Sequence, residues 1–210
     1  MKHHVCAVIL AAGKASRMGK MKQLLPLGHQ TILEHVIDKT LNEEFSAVYV
    51  VVGYNEALIR EQIKRRDERL HWIINPAYED GQSTSLKVAF EQLKARYDHM
   101  VLFLGDMPCI QSKTINYIYE ESIKKAINDE EPFILRPTCN GINGHPVFIG
   151  NFFHDVFMQV EGDSGLRQII NQLSNCFTRE VNDVGVMLDV DTIEQYEQMK
   201  EFYENRYKKA

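Results

Sequence analysis

The chain has no long apolar run, no general excess of positive charge and no closely paired cysteines. No stretch approaches the ~18 to 20 apolar residues that a membrane helix requires, so no membrane segment is expected. The apolar stretch Val5–Ala12 is too short for a secretory signal and runs into charge rather than into a small-residue cleavage site. A formal net charge of -5 excludes a broad basic surface for nucleic acid or for membrane lipid, so any anion must be captured locally. The cysteines Cys6, Cys109, Cys139 and Cys176 are scattered, with no Cys-x-x-Cys, which excludes a zinc knuckle and a disulfide framework and points to a reducing cytoplasm. Repeats, low-complexity tracts and linkers are also missing. Residues 1–210 are therefore expected to form a single domain, long enough to bury a proper core.

Strand-like and helix-like segments alternate along most of the chain. Val5–Ala12, Ala47–Val52, His71–Asn75 and Met100–Leu104 are short apolar runs of buried-strand type. Between them, Ile32, Leu33, Val36, Ile37 and Leu41 recur at helical spacing, as do Leu86, Phe90, Leu93 and Tyr97 behind Ser83, a candidate helix cap. Residues 112–127 form another amphipathic candidate. This order predicts an α/β fold, a Rossmann-like three-layer domain with a mainly parallel central sheet. Phe133–Pro137, the turn-like Cys139–Gly144 and Pro146–Ile149 then predict a small antiparallel excursion. A helix near Ser164–Leu173, a strand over Val186–Val190 and a closing helix from Ile193 to about Tyr207 complete the expectation.

The chemistry concentrates at the start. Lys2, Lys14, Arg17, Lys20 and Lys22 are all basic and no acid appears before Glu34, against the acidic trend of the whole. Glycine-freed backbone amides and fixed cations are what a polyphosphate needs. Two familiar phosphate loops are nevertheless absent. A P-loop has four residues between its glycines and a hydroxyl residue after its lysine. Here five residues separate Gly13 from Gly19, and Met21 follows Lys20. The Gly-x-Gly-x-x-Gly dinucleotide turn is missing too.

What stands there is Leu10-Ala11-Ala12-Gly13-x-x-x-Arg17-Met-Gly19-x-x-Lys22. The plain alternative is a strand-to-helix turn with a solvated basic loop. A second motif, Val101-Leu-Phe-Leu-Gly105-Asp106-Met-Pro108, puts an aspartate at the carboxyl end of a buried strand, where open α/β sheets bind ligands. Asp106 there suits Mg²⁺, a hard cation that prefers carboxylate and phosphate oxygens; its plain alternative is a turn residue before Pro108. In Asn75-Pro-Ala-Tyr-Glu-Asp-Gly81-Gln-Ser83-Thr-Ser85, a glycine and small hydroxyl residues can contact a base or ribose, or simply cap a helix. Strand alternation sends Asp189 and Asp191 to one face, so one of them can complete a metal site with Asp106. Asp189 is expected as the ligand and Asp191 as the helix cap.

The first motif resembles the signature of nucleotidyltransferases related in fold to the nucleotide-sugar glycosyltransferases (GT-A-like). That resemblance implies that Gly13 admits the triphosphate while Arg17 and Lys22 neutralise it and the departing pyrophosphate. It also implies that the Asn75, Gly81, Ser83 and Ser85 segment lies over the base. Taken in order, Leu10–Gly13, Gly105–Pro108, Gly144-His145-Pro146, Gly162-Asp163-Ser-Gly-Leu-Arg167 and Asp189-Val-Asp191-Thr192 resemble the molybdenum cofactor cytidylyltransferases. The resemblance implies Mg²⁺-dependent transfer of CMP from CTP to molybdopterin, with His145, Asp163 and Arg167 on the acceptor side and a receiving molybdoenzyme as partner. Guanylyltransferase relatives carry Leu-Ala-Gly-Gly in the first motif, so Ala12 favours CTP over GTP. One departure is Thr192-Ile-Glu-Gln195, where the family commonly has Thr-Pro-Glu-Asp. A guanylyltransferase, another sugar-phosphate nucleotidyltransferase, and a non-catalytic nucleotide-binding cofactor chaperone remain the alternatives.

Overall fold

The first strand decides how the rest is layered. In the computed structural model, which describes residues 4–14, 19–152 and 165–207, β1 (Val5–Leu10) is buried along its whole length. Successive side chains of a strand face opposite sides. Ala7 and Ile9 enter one core with Leu33, Val36 and Ile37, while Cys6, Val8 and Leu10 enter another with Leu86, Phe90 and Leu93. A strand covered on both faces needs apolar residues at every position, which is why this one shows no alternation.

A short hairpin of β2 (Pro26–Leu27) and β3 (Gln30–Thr31) leads into α1 (Ile32–Leu41). There Thr31 and Glu34 form a reciprocal capping box. Then follow β4 (Ala47–Val52), α2 (Glu56–Gln62), β5 (Leu70–Ile74), α3 (Gln82–Leu93), β6 (His99–Leu104) and α4 (Ser112–Ala126). The last third carries β7 (Phe133–Cys139), β8 (Ile142–Asn143), β9 (Val147–Gly150), α5 (Leu166–Gln172), β10 (Cys176–Glu180) and α6 (Ile193–Tyr207). The main sheet runs β10-β7-β9-β6-β1-β4-β5, with β8 on β7. Strands β6, β1, β4 and β5 are parallel, as are β10 and β7, whereas β9 runs antiparallel to both β6 and β7. This is one α/β domain with helices α1 and α4 over one face and α3 and α5 over the other. The excursion expected around residues 133–149 is present, and Asn140 and Gly141 turn β7 into β8 with φ of 52° and 75°. Among the described residues no helix is long and apolar enough to cross a membrane.

Two close approaches shape the ligand edge. Leu10 and Leu104 pair in register, so the loops leaving β1 and β6 emerge side by side. Gly105 seals them: its amide donates to the Leu10 carbonyl at 2.9 Å, and a Cβ there would stand 2.9 Å from the Ala11 Cβ. Beyond it, the Pro108 and Ile110 carbonyls accept from the Lys39 ammonium, and the Cys109 carbonyl accepts from Arg206 of α6 at 3.1 Å. Burial lowers the pKa of Lys39.

Some expectations need correction. The strand expected over Val186–Val190 is instead a 3-10 turn at Val184–Met187 followed by irregular chain. Buried Asp183 causes this, because its carboxylate accepts from the amides of Gly185 and Gln111 and from the Thr114 hydroxyl. The edge strand is β10, whose Cys-Phe-Thr-Arg-Glu buries no side chain fully and so carries no apolar signal. Ser83 is no helix cap. Gly81 (φ 110°) takes that position in α3, and Ser83 is buried in the first turn.

The tight turn makes a stability prediction. A Cβ on Gly185 would lie 2.1 Å from the Cys109 carbonyl oxygen, a backbone atom with no room to move. Gly185→Ala is expected to cost at least about 2 kcal/mol, as overpacking against fixed atoms does. Urea unfolding of the two proteins measures it.

Candidate active site

At the carboxyl ends of β1 and β6 lies a cavity of about 370 Å³. Its floor is the backbone of Leu10, Ala11, Ala12 and Gly13, and its far wall is Asp106, Asp189 and Asp191. A Cβ on Gly13 would meet no protein atom within 4 Å, so the backbone there is open to an approaching ligand. The loop keeps its shape through Gln23. This buried side chain donates to the Ala11 and Gly13 carbonyls, both at 2.9 Å.

Lys22 is the electrostatic centre. Its ammonium donates to Asp106 Oδ2 at 2.5 Å and to Asp191 Oδ1 at 2.8 Å. Burial alone would lower the pKa of Lys22, but the two carboxylates outweigh it and hold the pKa above its ordinary value. Asp189 is pushed up, by burial first and then by the negative charges of Asp106 and Asp191. Three carboxylates thus face one ammonium in this cavity. Asp106 Oδ1 is buried with no hydrogen-bond partner, which is costly for a charged group. This donor set fits a hard divalent cation. Among the described residues no three His, Cys, Asp or Glu side chains already stand in a metal-ligating cluster.

The segment before α6 presents Asp189 and Asp191 without a strand, so alternation does not place them. Thr192 caps the helix instead of Asp191: its hydroxyl accepts from the Gln195 amide at 3.2 Å. Gln195 Oε1 in turn accepts from the amides of Asp191 and Thr192 at 2.8 and 2.9 Å. The Asp191 carboxylate is thereby left to Lys22.

Of the residues expected on the nucleotide side, Ser85 lines the cavity, while Asn75, Gly81 and Ser83 do not. The Asn75 amide donates to Ser85 Oγ and Thr84 Oγ1 at 2.9 Å each, and its oxygen accepts from the Ala77 amide at 3.0 Å. Asn75 therefore braces the loop. Gln23 and Gln82 line the cavity and were not singled out by sequence; their signal was only a polar residue beside a motif. Arg17 and Asp163 lie outside the described residues.

A second cavity of about 650 Å³ adjoins the first and shares Leu10, Gln82 and Leu104 with it. It brings together His145 and Arg167 as expected neighbours, and adds Arg136, which sequence reasoning passed over. Burial drives the His145 pKa down to about 4, against the opposing pull of the Leu102 carbonyl and Asp106. The ring is neutral at physiological pH, and its Nδ1 is buried without a partner.

Residues 7–176 match the family model described as the MobA-like NTP transferase domain. The molybdenum cofactor cytidylyltransferase of Escherichia coli (strain K12) is 29% identical over 196 residues, 93% of this chain and 95% of that protein. A homolog of Mycobacterium tuberculosis Rv0371c from mycobacterium sp. strain JC1 superposes with a TM-score of 0.78 at 27% identity, covering 97% of this chain and 98% of that one. Rv0371c from M. tuberculosis H37Rv in complex with manganese has the same fold, with a TM-score of 0.77 at 23% identity over 94% and 98% of the two chains.

His145 makes stability depend on pH. Between its ordinary value of 6.5 and about 4 the unfolded chain takes up a proton that the folded protein refuses. Its contribution is therefore complete above 6.5 and is lost as pH falls toward 4, by on the order of 3 kcal/mol. Unfolding free energies at pH 7 and pH 4.5 should fall less steeply for His145→Gln than for the parent.

Proposed function

The chain belongs to the MobA-like NTP transferase domain family and is a nucleotidyltransferase; from that premise we propose that it transfers CMP from CTP to molybdopterin. The observation that carries this reading is the Lys22 ammonium between Asp106 and Asp191, beside the open backbone of Leu10–Gly13. A cation and free amides there suit a triphosphate, and carboxylates suit the metal that accompanies it. Ala12 and the cytidylyltransferase relative favour CTP over GTP.

In this reading an oxygen of the acceptor phosphate forms a bond to the α-phosphorus, and the bond from that phosphorus to the β-phosphate oxygen breaks, releasing pyrophosphate. The acceptor oxygen is already anionic, so no general base is required. The protein's work is alignment and charge neutralisation. Arg17 and Lys22 carry the negative charge of the leaving pyrophosphate. Gln82 and Ser85 face the nucleotide cavity. His145, Asp163 and Arg167 orient the acceptor. Enzymes of this kind usually use a divalent metal; Asp106 and Asp189 would hold it here as Mg²⁺, where it supplies Lewis-acid stabilisation of charge on the α-phosphate.

Three outcomes are expected. Purified molybdenum cofactor and Mg²⁺, offered with CTP, GTP, ATP and UTP in parallel, release pyrophosphate mainly from CTP. Equal or faster release from GTP overturns the base assignment, and nucleotide binding with no release from any of them revives the chaperone alternative. Asp106→Ala slows turnover at least about a hundredfold, on the order of 3 kcal/mol of barrier; near-normal turnover removes Asp106 from the site. Lys22→Met also slows turnover, yet it tightens Mn²⁺ binding to the nucleotide-free protein several-fold, because the competing ammonium is gone. Calorimetry with Mn²⁺ alone reads the last effect.

A further inference from the structure

Strand β7 contains a charge where its neighbours are apolar. Phe133, Leu135 and Cys139 enter the core beneath α4, and Ile134 enters the opposite core beneath α3 and α5. Alternation sends Arg136 to the Ile134 side, where a buried aliphatic side chain would ordinarily stand. The half-buried guanidinium has no hydrogen-bond or ion-pair partner among the described residues, and burial lowers its pKa. Five donors in a fixed fork are left facing the 650 Å³ cavity.

The surroundings of that cavity narrow what can satisfy the fork. Arg167 is a second guanidinium on the wall, His145 is neutral, and Asn143, Asn171 and Gln82 add amides. No carboxylate lines it among the described residues, in a protein of net charge -5. The adjoining cavity has the opposite balance, with Asp106, Asp189 and Asp191 around Lys22. A cation that bears a desolvation cost with no counter-ion among the described residues suits an anionic ligand.

We propose that Arg136 is an acceptor-binding residue, which with Arg167 pairs with a phosphate-class oxyanion on the acceptor. The acceptor is therefore anionic, and the amides of Asn143, Asn171 and Gln82 beside the fork can hydrogen-bond its polar groups. Bidentate geometry makes the choice of arginine matter: a lysine keeps the charge but loses the fork. Arg136 also screens the acceptor from the negative charge of the triphosphate next door. This assignment rests on the two-substrate reading above, but its anion site stands or falls separately.

The test uses the full chain with CTP carrying a methylene in place of the α,β-bridging oxygen, plus Mg²⁺, so that the nucleotide cavity is filled. Inorganic phosphate is titrated while the side-chain Nε–H signals of arginine are followed by NMR. The Arg136 signal, identified by its loss in Arg136→Lys, is expected to shift with phosphate, and Arg136→Gln is expected to weaken phosphate binding at least tenfold. With molybdenum cofactor as acceptor, Arg136→Gln is expected to raise KM at least tenfold with kcat within a few-fold, and Arg136→Lys to give an intermediate value. Arg136→Leu is expected to be at least as resistant to urea as the parent, since a half-buried charge with no counter-ion among the described residues is removed. Unchanged phosphate affinity and acceptor KM in Arg136→Gln, or a clear loss of stability in Arg136→Leu, overturns the proposal. Arg136-dependent phosphate binding in a protein that does not turn over molybdenum cofactor keeps the anion site and overturns the acceptor reading instead.

Discussion

The ion pairs of Lys22 link three parts of the chain that are far apart in sequence. Its ammonium joins the loop after β1 to Asp106 at the end of β6, 84 residues away, and to Asp191 ahead of α6, 169 residues away. In water such contacts would be weak, but side-chain exposures of 16% for Lys22 and 13% for Asp106 shield that pair from solvent, while Asp191 is 43% exposed. The geometry is nevertheless unbalanced, since Asp106 keeps one buried oxygen unpaired and Asp189 adds another carboxyl. The resting arrangement is therefore internally compensated only in part. A site with leftover negative charge is prepared for a cation, and a lysine released from carboxylates is prepared for phosphates.

That centre depends on backbone packing that leaves no space for side chains. Gly105 brings the ends of β1 and β6 into contact, and Gly185 lets the turn anchored by Asp183 lie against the Cys109 carbonyl. Lys39 and Arg206 then hold the carbonyls from Pro108 to Ile110 from two different helices. Asp106 thus leaves a strand that is fixed on one side by hydrogen bonding and on the other by two half-buried cations. Preorganisation of this kind keeps a charged group from relaxing when a substrate arrives.

Much of this was legible in the sequence, for physical reasons. Strands buried on both faces appear as unbroken apolar runs, so β1, β4 and β6 could be seen directly, as could the amphipathic α1 and α4. The Gly-Asp pair after β6 and the glycine loop after β1 stood out because ligand-facing backbone requires special residues. The segment Val186–Val190 resembles a strand because Val186 and Val190 are apolar and buried, and burial alone does not distinguish a turn from a strand. The edge strand β10 was invisible because it buries too little. Gln23 could not be recognised from sequence, since its role is to hold two carbonyls that only the folded loop brings within reach. Arg136 did leave a trace, a lone charge inside Phe-Ile-Leu-Arg-Pro, which hairpin reasoning treated as ordinary.

The reversed strand β9 separates two inventories of polar groups. Apart from Gln82 on the shared wall, the polar groups of the larger cavity come from Arg136, Asn143, His145, Arg167 and Asn171, all after β6. The smaller cavity draws its polar groups from the segments up to Asp106 and from the stretch just before α6. Among the described residues only Leu10, Gln82 and Leu104 belong to both walls. Substitutions on β7, β8 and α5 can thus remodel the larger cavity while the polar lining of the smaller one stays as it is.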